Sequence, residues 1–283
     1  MSTLDKLSKI AAELRAAEEH EIIAEKDREK LMVRIAHMVR IPAGTFLMGT
    51  GDEQVKYLLM REDWANEWDS RNMFMAEQPE HTVNYSAFSI AQHAVTNIEY
   101  RPFIWSTGYK APRHWTNFDI PKGIEEHPVV NVSWHDAIAY CNWLREQTGQ
   151  AFRLPTEAEW ERAARGTDGR IYPWGADFEA WRCNTAENNR RDTSPLNMYV
   201  PGGVSPDGVQ DMAGNVYEWT ASVLKAYPYV ADDGRESPTA DGKRVVRGGS
   251  WYYSRKLARC AARESLLPSY TSTGLGFRLA CSA

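Results

Sequence analysis

The sequence predicts an α+β domain with few regular elements, preceded by an N-terminal helix. Three observations carry this. The texture of the chain changes abruptly near residue 38, three helices with clear start signals follow, and residues 167–283 contain no further convincing helix.

Residues 1–37 contain no glycine and no proline and are rich in Ala, Glu, Lys and Leu. Leu4, Leu7, Ala11, Leu14 and Glu18 recur at helical spacing, with charges of both signs on the other face, as in Glu25-Lys26-Asp27-Arg28-Glu29-Lys30. Two readings of this segment stay open: an amphipathic helix packed on its own domain, and a short coiled coil or docking helix for a partner. The apolar stripe fades after two heptads, which argues against a coiled coil.

Residues 38–283 form the second unit. Val33 to Ile41 leads into a strand, and Ile41 to Gly49 reads as strand, turn, strand around Pro42-Ala43-Gly44. His81 to Ile90 alternates apolar and polar and is expected as one further strand. Thr96 caps a helix running to about Trp105. Ser133 caps a second, with His135 to about Gln147 as its body and Ala137, Ile138, Cys141, Trp143 and Leu144 as its apolar side. Thr156-Glu157-Ala158-Glu159 is a capping box that opens the third, and Gly166 stands where a helix end favours positive φ. The turn-rich remainder needs buried aromatics, satisfied Asn and Asp side chains or bound ions to hold it.

Composition removes several functional classes. The net charge of −5 gives no electrostatic footprint for nucleic acid. No apolar run reaches the roughly 18 residues of a membrane span. No CxxC spacing relates Cys141, Cys183, Cys260 and Cys281, so a thiolate zinc site is not expected. The first residues lack the apolar stretch of a signal peptide, and a cytoplasmic protein with reduced thiols is expected. A nucleophile elbow, a phosphate-binding GxxxxGK[ST] loop and a GxGxxG fingerprint are all missing. Glu157, Glu159 and Glu161 read as a helix start rather than an acid/base pair. The 11 tryptophans and 13 tyrosines suit binding surfaces.

A series of motifs in fixed order spans residues 38–280. It runs Val39-Arg40-Ile41-Pro42-Ala43-Gly44-Thr45-Phe46-Leu47-Met48-Gly49, Glu77-Gln78-Pro79-Glu80-His81, Ala94-Val95-Thr96-Asn97 and Pro128-Val129-Val130-Asn131-Val132-Ser133-Trp134. It continues with Arg153-Leu154-Pro155-Thr156-Glu157-Ala158-Glu159-Trp160-Glu161, Tyr172-Pro173-Trp174-Gly175 and Asp211-Met212-Ala213-Gly214-Asn215-Val216-Tyr217-Glu218-Trp219. It ends with Arg247-Gly248-Gly249-Ser250-Trp251 and Gly276-Phe277-Arg278. In this order the motifs resemble the formylglycine-generating (sulfatase-modifying) enzyme family, which implies a C-type-lectin-like fold with few regular elements.

The resemblance implies chemistry that the residues do not support. Enzymes of that family oxidise a substrate cysteine with copper held by two thiolates, three and eight residues beyond the Gly-Gly-Ser motif. Those positions carry Tyr253 and Ala258 here, in a segment shorter than theirs. Cys260 is the only nearby thiol and reads as a small buried hydrophobe. A sister branch of sulfoxide synthases binds iron through an H-x3-H pair that the seven histidines do not form, and His135 reads as structural. No copper or iron is therefore expected. The resemblance also implies structural calcium, with side-chain oxygens from Asp211 and Glu218 and carbonyls from Gly214 and Val216. A weaker second site falls on Asn184, Thr185, Asn188 and Arg190, without a carboxylate.

The segment from Trp251 to Leu275 lies between two frame-like motifs and is rich in Tyr and Ser. It resembles the variable region of diversity-generating retroelement proteins, in which a C-terminal lectin-fold segment is hypermutated. The ligand-binding residues expected on that reading are Tyr252, Tyr253, Ser254, Lys256, Ser265, Leu266, Tyr270, Ser272 and Thr273, with Arg247, Gly248, Gly249 and Trp251 as scaffold beneath. The expected function is binding of a protein or other macromolecule, without catalysis, nucleic acid or membrane. The competing expectation is an oxidoreductase of the same family with an atypical metal site.

Overall fold

A computed structural model describes residues 18, 21–35 and 38–283 of the chain. Leu4, Leu7, Ala11 and Leu14 lie outside the described residues. Residues 21–35 are helical (α1), so the expected lead into a strand from Val33 starts six residues late, at Val39. The end of α1 packs on the domain. Leu31 joins the main core, Asp27 accepts from Arg101 Nε at 2.6 Å, and Arg34 bonds Glu126 and the Thr96 hydroxyl.

Both ends of the domain meet in one antiparallel sheet. Its order is β1 (Val39–Ile41), β4 (Phe88–Ile90), β9 (Ala280–Ser282). Strand β2 (Gly44–Met48) pairs with β3 (His81–Tyr85) as a separate ribbon. The stretch expected as one strand from His81 to Ile90 is thus two, because Ser86 and Ala87 carry the chain from one sheet to another. The third sheet has the order β7 (Arg263–Leu266), β6 (Arg244–Arg247), β5 (Tyr217–Val223), β8 (Leu275–Phe277). In it β5 and β8 run parallel and the other pairs antiparallel.

Two helices were not foreseen, α2 (Asp52–Arg61) and α3 (Ala65–Ser70). Neither has a side-chain cap, and each buries a single residue, Leu58 and Ala65. The expected three are present as α4 (Asn97–Thr107), α5 (Trp134–Thr148) and α6 (Glu157–Arg165). Each starts with a complete capping box, from Thr96, Ser133 and Thr156. Beyond Gly166, the described helical turns are short 3-10 segments.

The main core is aromatic. Tyr100, Phe103, Tyr140, Trp143 and Phe277 pack edge-on or tilted around the α4–α5 contact, with Tyr100 and Tyr140 stacked at 5.2 Å. Around it stand four carboxylates that are almost wholly buried, each held by arginine. Glu157 takes two bonds from Arg263 at 2.7 and 2.6 Å, and Glu77 two from Arg259 at 2.7 and 2.6 Å. Glu218 takes two from Arg278 at 2.5 and 2.6 Å and one from the Trp160 indole at 2.7 Å. Glu161 is held by Arg247, by Arg165 at 2.8 Å and by the Gly49 amide at 2.7 Å. Glu157 and Glu161 are therefore more than the helix start expected from sequence: their fully buried carboxylates tie α6 to β6, β7 and the β2 ribbon. Their bidentate, charge-assisted bonds are of the strong kind, and loss of one partner would strand the other.

Candidate ligand-binding site

The Arg247 guanidinium donates to the carbonyls of Cys260, Ala261 and Ala262, and so pins the chain that enters β7 against the end of β6. Between those two strands the chain turns through Gly248 and Gly249, both at positive φ, and reaches Tyr252 and Tyr253. A Cβ on Gly249 would come within 3.2 Å of the Leu257 carbonyl and Ala258 Cα, so the turn is closed by backbone. From β7 the chain passes through Leu267–Thr273 to β8. Residues of both excursions line one pocket beside Tyr217 of β5.

They enclose a pocket of about 170 Å³ lined by Tyr217, Tyr252, Tyr253, Tyr270, Leu266, Ser272 and Glu264 over a floor of Val246, Leu257 and Leu275. Tyr252, Tyr253 and Tyr270 are 36%, 38% and 47% exposed, as rim residues should be. Tyr253 stands edge-on to Tyr217 at 5.3 Å and tilted to Tyr252 at 4.6 Å, and Tyr252 Oη shares a hydrogen bond with Ser272 Oγ at 3.1 Å. Trp251 lies edge-on to Tyr252, and its indole donates to the Thr273 carbonyl, bridging the two excursions.

Of the nine expected binding residues, five line this pocket: Tyr252, Tyr253, Leu266, Tyr270 and Ser272. Four do not. Ser254 begins a 3-10 turn, Lys256 lies over the Trp68 ring at 4.8 Å, Ser265 lines the neighbouring depression beside Trp68, and Thr273 is exposed. Five lining residues were missed: the floor residues Val246, Leu257 and Leu275, and the polar Tyr217 and Glu264. Tyr217 was read only as part of the ordered motif from Asp211 to Trp219, although alternation along β5 sets it apart from Glu218. Glu264 directly follows a frame-like Ala-Ala-Arg and carried no separate signal.

The two positions where the sequence lacks the family's thiols differ in surroundings. Tyr253 opens on the pocket, whereas Ala258 is fully buried beside Cys183 and Ala213. Cys260 is fully buried, its thiol pushed up to about 12 by burial, which agrees with a small hydrophobe. The donor set for a bis-thiolate copper centre is therefore missing from this wall of the pocket. His135 is exposed and lies edge-on to Trp134, so it supports the helix only from its surface.

The expected calcium ligands lie on one turn leading into β5, from Asp211 to Val216, and on β5 itself at Glu218. Asp211 and Asn215 are left-handed, at φ 54° and 64°, and Gly214 is at φ 78°. A Cβ on Gly214 would meet the Asn184 carbonyl at 2.2 Å, which joins the two expected sites back to back. The fit to calcium is divided. Glu218 is already neutralised by Arg278. The Asp211 carboxyl is pushed up to about 6 by burial; the Arg278 charge and an Asn215 hydrogen bond lower it, while Glu218 raises it further. Asp211 is half-buried and stands near a second carboxylate that Arg278 already pairs, and a hard cation would relieve it. In the second set, Asn184 is fully buried with its Oδ1 unpartnered among the described residues. Asn188 caps back to Thr185 and donates to the Ala180 carbonyl, and Arg190 donates to Thr193. Apart from Asn184, that set is occupied by its own hydrogen bonds.

The fold and site together define a C-type-lectin-like scaffold that carries a tyrosine-lined pocket between its last strands. Residues 24–283 match the model of the sulfatase-modifying factor enzyme 1-like domain. The chain is 34% identical to the formylglycine-generating enzyme of Streptomyces coelicolor, over 87% of this chain and 89% of that one. It is 32% identical to the inactive C-alpha-formylglycine-generating enzyme 2 of Mus musculus, over 87% of this chain and 86% of that one. Among solved structures, variable protein 1 of Treponema denticola superposes with a TM-score of 0.65 at 26% identity, covering 87% of this chain and 95% of that one. The chain belongs to the formylglycine-generating enzyme family.

Proposed function

We propose that this chain is a non-catalytic member of its family that binds a protein or other macromolecule through the tyrosine pocket and its rim. The observation that carries the reading is the replacement at Tyr253. Where the enzymes' first thiolate would stand, an aromatic ring opens on the pocket, and the second position is a buried alanine. Tyr offers rigid amphipathic contact at low entropic loss, and Ser offers adaptable hydrogen bonds. The likeness to variable protein 1 of Treponema denticola and the sequence relation to an inactive mouse homologue support the same direction. In this reading Trp251 to Leu275 is the variable segment of a diversity-generating retroelement. Calcium at Asp211, Gly214, Val216 and Glu218 is a structural support behind β5. The protein acts in a reducing compartment, consistent with four free cysteines.

Two experiments test this. The DNA downstream of the gene should hold a reverse-transcriptase gene and a near-copy of the last part of the coding sequence that differs mainly at adenines. Without such a copy, the variable-protein reading fails. Incubation with Cu(I), oxygen, a thiol reductant to supply the two further electrons that O2 takes, and a cysteine-containing peptide should yield no aldehyde. Turnover under those conditions would overturn the non-catalytic reading in favour of the oxidoreductase.

A further inference from the structure

Glu77, Glu157, Glu161 and Glu218 each hold an arginine. Glu264 differs. It lines the tyrosine pocket and, among the described residues, makes no ion pair. It stands on β7 opposite Val246. No lysine or arginine lines the pocket. Lys243, exposed just before β6, and the Ser265 amide favour its ionised form, but burial outweighs them and pushes its carboxyl up, with Glu77 adding in the same direction.

The neighbouring acids are displaced the same way. The Tyr217 hydroxyl is raised well above the usual phenol range by burial first and by the Glu264 charge next; Tyr253 and Tyr252 add to this, and Arg247 opposes it. Tyr253 is raised by burial and by Tyr252, Tyr270 and Glu264. Tyr217 is 5% exposed, and its hydroxyl has no partner among the described residues. The pocket therefore gathers a desolvated carboxylate, an orphaned phenol and the rings of four tyrosines, with no positive charge on its wall. Tyrosine faces attract cations, more strongly when desolvated.

We propose that the pocket receives an alkylammonium group, the side chain of a lysine on a protein partner, with Glu264 as its counter-ion. This rests on the binding-protein reading and names the chemistry of its ligand. Size agrees: about 170 Å³ holds one long side chain and falls below the roughly 300–1,000 Å³ of sites for drug-sized ligands. The aliphatic stem of lysine would pass the apolar floor of Val246, Leu257 and Leu275. The polar groups come from three separate elements: Tyr217 on β5, Glu264 on β7 and Ser272 in the loop before β8. They surround a point charge rather than forming one edge for a planar guanidinium, which favours lysine over arginine.

The test titrates the full chain with n-butylammonium chloride, a lysine side-chain mimic, and follows the tyrosine ring resonances by NMR. Controls at matched ionic strength are n-butanol, sodium butyrate and ethylguanidinium chloride. Butylammonium should shift the rings of Tyr217, Tyr253 and Tyr270 saturably and at least tenfold more tightly than butanol. Glu264→Gln should weaken it about tenfold, and Tyr270→Ala, at the exposed rim, should weaken it without unfolding the chain. A lysine in an acetylated and amidated peptide should bind at least as well as butylammonium. Equal binding of butanol, unchanged binding by a folded Glu264→Gln, or no shift with any cation would overturn the proposal. Tighter binding of ethylguanidinium would overturn the choice of lysine. The template repeat in the gene is unaffected by these outcomes, so a failure here and a failure of the broader reading are separable.

Discussion

Glu161→Gln tests what holds this fold together. The substitution keeps the shape of the side chain and removes the charge that faces both Arg247 and Arg165, all three side chains being fully buried. Breaking a buried pair by removing one partner is expected to lose about 3–5 kcal/mol, here because, among the described residues, Arg165 is left without a carboxylate and Arg247 keeps only Glu157 at 3.7 Å. At roughly 2–4 °C per kcal/mol for a domain of this size, the melting temperature should fall by about 6–20 °C. Glu67→Gln is the control. It removes the exposed partner of Arg71 and should change stability by less than about 1 kcal/mol. Acid dependence gives a second readout. Burial alone would raise the Glu161 carboxyl, but Arg247, Arg165 and the Gly49 amide more than offset this and hold it below its ordinary 4.5. A depressed carboxylate contributes stability that is present above the unfolded value and lost as pH falls through the folded one. The wild-type stability should therefore drop as pH falls below about 4.5, and Glu161→Gln should flatten that limb. Urea unfolding at several pH values measures both. A loss below about 1 kcal/mol at neutral pH, or an unchanged acid limb, would refute the reasoning.

Other consequences can be checked separately. If Asp211 helps to hold calcium, free calcium at a hundred times its dissociation constant should add about 2.7 kcal/mol against chelator, and Asp211→Asn should remove that response; a melt insensitive to chelator sinks the site. Iodoacetamide at neutral pH should leave Cys141, Cys183 and Cys260 unmodified in the native protein, since burial pushes each thiol up to about 12, and mass spectrometry would read the labelling. Thr156→Ala should lose about 1 kcal/mol by removing the cap of α6; no change would mean that the buried ion pairs alone fix that helix.

Elements with a chemical start signal were legible in the sequence; those fixed only by tertiary contact were not. The caps Thr96 and Ser133 and the capping box at Thr156 announced α4, α5 and α6, whereas α2, with Gly51 at its cap and one buried leucine, offered neither cap nor stripe. The break at Ser86 and Ala87 was hidden because alternation is the same on both sides, and only the partners β2 and β1 tell the strands apart. At the site, tyrosines were conspicuous by type. Lys256 also looked like a surface contact, but the Trp68 ring that takes its ammonium is 188 positions away, beyond any local pattern. Glu264 was invisible for the converse reason: its meaning comes from what does not stand opposite it.

The same division separates the frame of this scaffold from the surface it displays. Arg247, Arg278, Glu157, Glu161 and Glu218 all belong to the ordered motifs, and all are engaged in buried ion pairs rather than in the pocket. Motif content thus reports the frame and says little about what the frame displays. The rim is independent of it: Tyr252 and Ser272 bond each other, and none of Tyr252, Tyr253, Tyr270 and Ser272 joins a buried ion pair. Replacing Tyr252, Tyr253 and Tyr270 by Ala and Ser272 by Gly together should therefore reduce stability by less than Glu161→Gln alone, at about 1 kcal/mol or less for each partly exposed ring. Thermal melts of the two variants, side by side, decide this. If the fourfold rim variant melts below Glu161→Gln, the tyrosines are core rather than surface. The frame could not then tolerate variation at these positions, and the binding reading would lose its physical basis.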